Sequence, residues 1–390
     1  AELPRAVAIT RFALTTTISL LISAALAPLL GALADYAGLR KRLLAASTVL
    51  GALATAAMAL VLRGDWRLAC VLFAIANVGA SCSFVFYDSL LPYVADGDAE
   101  LDRVSSAGYA LGYFGGGLLL GLNLVWITAP RFFGIADAAA AARLTFLSVA
   151  LWWLLFSIPL FRRVAEPPAR REPGERGGAI AAAVRRLARI VRELQGYRPA
   201  FVFLVAFLIY NDGIGTIIRM AAIYGTEIGV SQGALIGAIL LVQFVAAPFT
   251  FLFAKLATSI GVKSAILLAL AVYCLITIVG SLMTTTWHFY LLATLVATVQ
   301  GGSQALSRSL FARLIPQSRS AEFFGFFSIC EKVEGVAGPA LFAALAMITG
   351  SVRGAILGVS AFFVIGGGLV AMVDVAEGER LAQAEAPGAM

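Results

Sequence analysis

The sequence predicts an all-α membrane protein built as two pseudo-symmetric helical bundles, and three observations carry that prediction. First, the 390 residues are 61% hydrophobic and 13% charged, with a mean hydropathy of +0.92. A soluble domain carries about 25% charged residues, so this chain has too little polar surface to face water all round. Second, it contains eleven apolar segments near the ~20 residues needed to cross a bilayer. Third, a charged, proline-rich connector divides those segments, and related motifs recur on its two sides.

In order, the segments are 13–34, 43–62, 68–94, 104–128, 144–161, 200–225, 232–257, 264–283, 287–315, 321–349 and 353–374. Several exceed one crossing, which fits tilted or kinked helices. The first is expected to be a span and not a cleaved leader, because it lacks a basic start and a small-residue cleavage site. Cys70, Cys82, Cys274 and Cys330 all fall inside apolar segments, so they read as packed thiols and not as a disulfide framework. Lys and Arg set the sidedness. With the Arg40-Lys41-Arg42 loop inside, nineteen cations lie inside and five outside: Arg63, Arg67, Arg131, Arg143 and Arg353. Residue 1 is then outside and the C-terminus inside. The +7 net charge is thus a topology signal, which argues against nucleic-acid binding. The 25 Arg against 4 Lys, with much Ala and Gly, point to a GC-rich bacterial genome and hence to the bacterial inner membrane.

The connector, 162–198, opens with "FRRVAEPPARREPGERGG", an exposed linker by composition. Between 180 and 194, Ile180, Ala183, Val184, Leu187, Ile190, Val191 and Leu194 recur at helical spacing, with Arg185, Arg186, Arg189 and Arg192 opposite. Such a helix is expected to lie on the membrane surface and hold anionic lipid. The predicted organisation is an N-terminal bundle, 1–161, the connector, a C-terminal six-helix bundle, 199–376, and a tail, 377–390. Each bundle has a helix ending at a small-residue turn followed by cations: "LADYAGLRK" from Leu33 and "LATSIGVK" from Leu256. "DSLLP" from Asp88 has a looser counterpart in "RSLFARLIP" from Arg308. Duplicated bundles are a recurrent transporter architecture.

"GALADYAGLRKR", Gly31 to Arg42, resembles the signature loop between helices 2 and 3 of the major facilitator superfamily, and the degenerate copy half a chain later strengthens the likeness. With "FYDSLLPYVA", "RVSSAGYALGYFGGGLLLGLNLVW", "YNDGIGTI", "GALIGAILLVQFVAAP" and "GGSQALSRSLFARLIP", the chain from about residue 15 is similar to the branch of the autophagy-related vacuolar amino-acid effluxers. The resemblance implies the major facilitator fold, with twelve helices and both ends in the cytoplasm. Eleven segments are present, so the expectation is that the first helix, which usually carries a Tyr-Asp-Trp-Ala-Asn-like motif and lines the cavity, is missing from these residues. The resemblance also implies that Asp35 and Arg40, around Gly38, hold the two halves together as a gate, with Asp35 facing a helix N-terminus. The plainer reading of Asp35 is a turn-capping carboxylate.

"IYNDGIGTIIR" places an acid midway along its span. An ionised carboxylate there costs at least about 2.5 kcal/mol, so Asp212 should face a cavity or a partner. Arg219 lies two turns, about 10.5 Å, further along the same face. Asp212 is a candidate site for a proton or a substrate amine, with Tyr210, Asn211 and Arg219 beside it, and a structural ion pair is the plainer alternative. In "CEKVEGVAGP", Lys332 matches a lysine of the family and is a candidate for a substrate carboxylate, while Glu331 and Glu334 are candidate proton carriers. Mutual neutralisation within that cluster is equally open. Asp88 and Arg308 are expected to meet across the halves as a cytoplasmic gate, or else to pair each within its own half.

Asn77, Gln243, Gln300 and Gln304 are further candidates for substrate contact, or interhelical hydrogen bonds worth about 0.6 kcal/mol each. Gly108, Gly112 and Gly116 read as close helix packing, because no strand precedes them to form a phosphate loop. His288 stands alone near a span end and reads as interfacial, so no metal site and no cofactor are expected. The predicted function is secondary active transport of a small polar solute, amino acids first by resemblance, through alternating access with proton coupling. A multidrug or other small-molecule exporter is the alternative, and a non-transporting receptor or scaffold a further one. An enzyme is not expected, since one histidine and scattered serines make no catalytic cluster. The expected partners are the solute, protons and anionic lipid, with the chain working as a monomer.

Overall fold

The computed structural model describes residues 5–62, 64–169, 196–227, 229–333 and 337–384. Every regular element among them is helical. The first five are α1 (Arg5–Ala37), α2 (Arg40–Ala57), α3 (Trp66–Ser89), α4 (Asp98–Thr128) and α5 (Ala138–Arg163). After the connector come α6 (Arg198–Glu227), α7 (Gln232–Ile260), α8 (Val262–Ser281), α9 (Thr286–Arg313), α10 (Ser320–Val333) and α11 (Ala337–Thr349). The chain continues through α12 (Val352–Gly358), α13 (Ser360–Met372) and α14 (Val375–Ala384). The basic helix predicted at 180–194, with its lipid contact, lies outside the described residues.

Nine stretches among the described residues are long and apolar enough to cross a membrane. The sequence led to eleven, and the other two differ for stated physical reasons. Helix α9 carries Gln300, Gln304, Arg308 and several serines along its length, and the segment 321–349 is shared between α10 and α11. Polar N-caps fix several starts. The Asp137 side chain accepts from the Ala140 amide at 2.7 Å, Ser231 from Ala234 at 3.2 Å and Thr285 from His288 at 3.3 Å. His288 in turn accepts the Thr284 amide through Nδ1 at 3.2 Å, so the lone histidine is an exposed helix-start residue. Helix α14 occupies most of the segment expected as a tail, 377–390. Asp374 starts it by accepting the Glu377 amide at 3.1 Å.

The chain packs as two units, and each contains a segment from the other sequence half. One unit comprises residues up to Leu90, Leu118–Ile190 and Ser318–Lys332, hence α1, α2, α3, α5, the later part of α4 and almost all of α10. Its core gathers Ala34, Leu44, Cys82, Phe86, Leu90 and Ala321. Glycine lets α2 and α3 touch: a Cβ on Gly79 would stand 2.8 Å from the backbone of Gly51, so only small residues fit.

The other unit holds Leu91–Gly117, Val191–Gln317 and the chain from Val333 on. In it α9 packs against α6, α7 and α8. A Cβ on Gly301 would meet Thr250 Oγ1 at 1.9 Å and one on Gly302 would meet the Phe253 ring at 2.3 Å, so this glycine pair sets the α7–α9 approach. Of the glycine stripe predicted on α4, Gly116 does face a neighbour, Gln243 Nε2 at 3.1 Å from a built Cβ, whereas Gly112 faces nothing within 4 Å. The close packing there runs through Gly116 and Gly117 instead.

The repeat is visible in side-chain roles. Lys41 Nζ donates to the carbonyls of Phe161, at 3.1 Å, and Val164 at the end of α5. Lys263 Nζ does the same for Ala371 and Val373 at the end of α13, at 2.7 and 2.8 Å. A cation there satisfies orphan carbonyls and complements the helix dipole. Counting from the glycines matched Arg40 with Lys263; by contact the counterpart is Lys41, one residue later, because Arg40 is taken up elsewhere.

Candidate functional site

Helix α1 ends at Gly38, whose φ of +62° suits glycine, and the turn delivers Arg40 to the first position of α2. That turn folds Arg40 back onto Asp35, with Nη2 2.6 Å from Oδ1, and both side chains are fully buried. The Asp35 carboxylate also accepts the amides of Glu322, at 2.9 Å, and Ala321, at 3.3 Å, in the first turn of α10. These are orphan donors at the positive end of a helix dipole, where an anion is favoured. Arg40 Nη2 also donates to the Ser318 carbonyl at 3.2 Å. Arg319 and Glu322 pair at 3.1 Å in that same turn, and Ser320 Oγ donates to the Ser89 carbonyl at 2.8 Å. Close approach makes this possible: a Cβ on Gly31 would lie 2.1 Å from the Ala321 carbonyl oxygen, and one on Gly325 2.6 Å from Pro28 Cα.

A second buried polar seam joins α4 to α9 inside the other unit. Arg308, 5% exposed, donates through Nε to Ser105 Oγ and through Nη2 to the Ser105 carbonyl, each at 3.0 Å, and lies 4.7 Å over the Tyr109 ring. Ser105 Oγ donates to the Ala305 carbonyl at 2.6 Å, and Tyr113 donates to Gln304 at 2.9 Å. Asp102 accepts from Ser309, at 2.6 Å, and from Arg313 Nη2, at 2.5 Å. On α6, the Tyr210 hydroxyl is 2.6 Å from Ser307 Oγ of α9. The sequence pointed to Arg308 and Gln304 but not to Ser105, Asp102 or Arg313. The signal available was the recurrence of Asp102, Ser105, Tyr109 and Tyr113 at three- and four-residue steps, one helix face.

Asp212 sits midway along α6, 4% exposed, with Asn211 at 2%. Its surroundings are close-packed. A Cβ on Gly338 of α11 would stand 3.0 Å from the Asp212 carbonyl oxygen, which accepts from Thr216 Oγ1 at 2.7 Å. Gly213 faces Phe362 and Phe363 of α13, and Gly366 faces Tyr210. Arg219 shares the helix face of Asp212 by geometry, yet it is exposed, beyond the packed part of α6. A small apolar cavity of about 30 Å³ lies alongside, lined by Thr216, Ile217, Met220, Thr277, Met283 and Phe342 among others.

The remaining candidates are spread over several elements. Asp88, 6% exposed, is in the last turn of α3, and Asn77 on the same helix accepts from Ser81 at 3.5 Å. Lys332 is in the last turn of α10, half-buried, with Nζ 5.8 Å from the Phe84 ring centre, and Glu331 precedes it, also half-buried. Glu334 lies outside the described residues. Gln243 and Gln300 are half-buried on α7 and α9. Among the described residues no cluster of three His, Cys, Asp or Glu side chains could hold a metal ion.

Comparison with known proteins assigns the family. The profile of the vacuole effluxer Atg22-like family matches residues 4–383. The chain belongs to the Atg22-like family. Its similarity to the MFS-type transporter YxiO of Bacillus subtilis reaches 35% identity over 361 residues, 92% of this chain and 83% of that protein. Autophagy-related protein 22-1 of Aspergillus niger is 26% identical over 299 residues, covering 71% of this chain and 48% of that protein. In fold, this Atg22-like chain is similar to the human organic anion transporter MFSD10, with a TM-score of 0.68 and 16% identity over 91% of this chain and 82% of that one. It is likewise similar to the proton:xylose symporter XylE, with a TM-score of 0.69 and 13% identity over 94% and 88% of the two chains. The Atg22-like chain is therefore a multi-pass membrane transporter of the major facilitator superfamily and not an enzyme.

Proposed function

We propose that this Atg22-like transporter exports a small polar solute, amino acids first, by alternating access, with Asp212 taking the proton or the substrate amine. The observation that carries the reading is a carboxylate held 4% exposed at the midpoint of a membrane helix. Keeping an acid there is costly unless it serves a pathway or a partner, and Tyr210 and Asn211 supply polar neighbours. Export follows the family's description as effluxers. The halves 1–161 and 199–376 are the moving bodies in this reading, tethered by the connector at the membrane of a bacterial cell.

The α1–α10 and α4–α9 seams each join a segment of one half to a segment of the other, and both lie at the helix ends that the Lys/Arg asymmetry reads as cytoplasmic. They are the parts that separate when the transporter opens to the cytoplasm, with Asp35, Gly38, Arg40, Asp88 and Arg308 as gating residues. Lys332 and Glu331, at the end of α10, are the proposed contacts for the substrate carboxylate and a second proton. Gln243, Gln300, Gln304 and Asn77 supply further polar contact.

A thermal-shift screen of the purified chain against the common amino acids tests the substrate class. A ligand that binds the folded state stabilises it by about 2.7 kcal/mol at a hundredfold excess over its Kd. A selective shift that disappears in Asp212→Asn supports the reading. A selective shift for a non-amino-acid solute, with none for amino acids, replaces it by the exporter alternative.

A further inference from the structure

Arg313, at the end of α9, is one cation facing three carboxylates. Its guanidinium contacts Asp102 at 2.5 Å and Asp98 at 3.5 Å, both on α4, and Glu379 at 3.9 Å on α14. The Arg313 and Asp102 side chains are largely buried, at 10% and 5% exposed, and Glu379 is partly so. Helix α14 is seated against α9 and α6 by a glycine: a Cβ on Gly378 would meet the Leu314 side chain at 2.3 Å and Pro199 at 3.1 Å. The other charged pair on α14, Glu377 with Arg380 at 2.7 Å, is exposed.

We infer that Glu379 is a positioning residue for the transport cycle, a second seat for Arg313 that favours opening of the α4–α9 seam. This rests on the alternating-access reading above. With the seam closed, Asp98, Asp102 and Glu379 all face Arg313, so Glu379 adds repulsion among acids. Burial raises the Glu379 pKa above its ordinary value, Asp98 pushes the same way and Arg313 opposes both, as that crowding requires. With the seam open, Asp98 and Asp102 depart with α4, and Arg313 loses two of the three acids it faces. Glu379 stays beside it, because α14 is docked on α9 and α6. Both effects have the same sign: the acid on α14 raises the closed state and lowers the open one.

The test is a distance distribution by pulsed electron–electron double resonance. In a background with the four cysteines replaced, labels go on Arg103 of α4 and Lys255 of α7, both exposed. The otherwise unmodified chain should give two populations, and Glu379→Gln should cut the longer-distance one by about two- to fivefold, the range of a partly exposed ion pair. Glu379→Asp should restore part of it, and Glu377→Gln should leave it unchanged. An unaltered or enlarged open population in Glu379→Gln overturns the inference while leaving alternating access standing. A single, unchanging distance in the unmodified chain overturns both.

Discussion

Asp35 and Arg40 hold each other at 2.6 Å with neither side chain exposed, and the same carboxylate closes the first turn of α10 through two backbone amides. A buried pair of this kind adds modest net stability when intact, but removing one charge strands the other. Asp35→Asn keeps the shape and an acceptor oxygen while removing the charge that faces the buried Arg40 guanidinium at 2.6 Å. It should lower the unfolding free energy by about 3–5 kcal/mol, read as a fall in Tm of the purified protein. A variant as stable as the parent would contradict the weight placed on this pair.

Gly31 and Gly112 make opposite predictions for the same substitution. A methyl on Gly31 runs into the Ala321 carbonyl, whereas Gly112 has open space. Gly31→Ala should destabilise by about 1–3 kcal/mol through overpacking and push α10 away from α1. Gly112→Ala should be neutral or stabilising by up to about 1 kcal/mol from helix propensity. Parallel thermal melts decide it, and equal effects would contradict the packing described.

Arg308 is held as a fork by Ser105 and stacked on Tyr109. Arg308→Lys keeps the charge but cannot reproduce the two-point donation. A loss of about 1–3 kcal/mol is expected, the range for charged hydrogen bonds left unmade. Tyr109→Ala combined with Arg308→Lys should add less than its single effect, since the two share one contact. Strict additivity in a double-mutant cycle would show that ring and guanidinium act independently.

Much of this was legible in the sequence, and the misses have identifiable physics. Hydropathy marks helices whose surroundings are lipid, so α2 to α8 appear near their bounds, while α1 starts well before the segment 13–34, at Arg5. The bounds of α9 were legible too, 287–315 against Thr286–Arg313, but the use of its polar groups was not, because Gln304, Ser307, Arg308 and Ser309 serve partners that sequence alone does not supply. Helix α14 escaped for a related reason: ten residues with a polar outer face carry little apolar signal, and their seat depends on Gly378 meeting Leu314. Asp35 was readable because its motif is local, five residues from Arg40. Asp102 was not, because its partners Ser309 and Arg313 lie 207 and 211 residues away.

The central claim, amino-acid transport through Asp212, is tested most directly by flux in proteoliposomes. Vesicles containing the chain and loaded with labelled amino acids should release them faster than empty vesicles, with a rate that depends on an imposed pH gradient. Asp212→Asn, folded by the same thermal melt, should lose that dependence and most of the rate. Release by Asp212→Asn equal to the parent in rate and pH dependence would contradict the assignment of Asp212. No release of any amino acid by a folded parent, beside release of another solute, would contradict the substrate class.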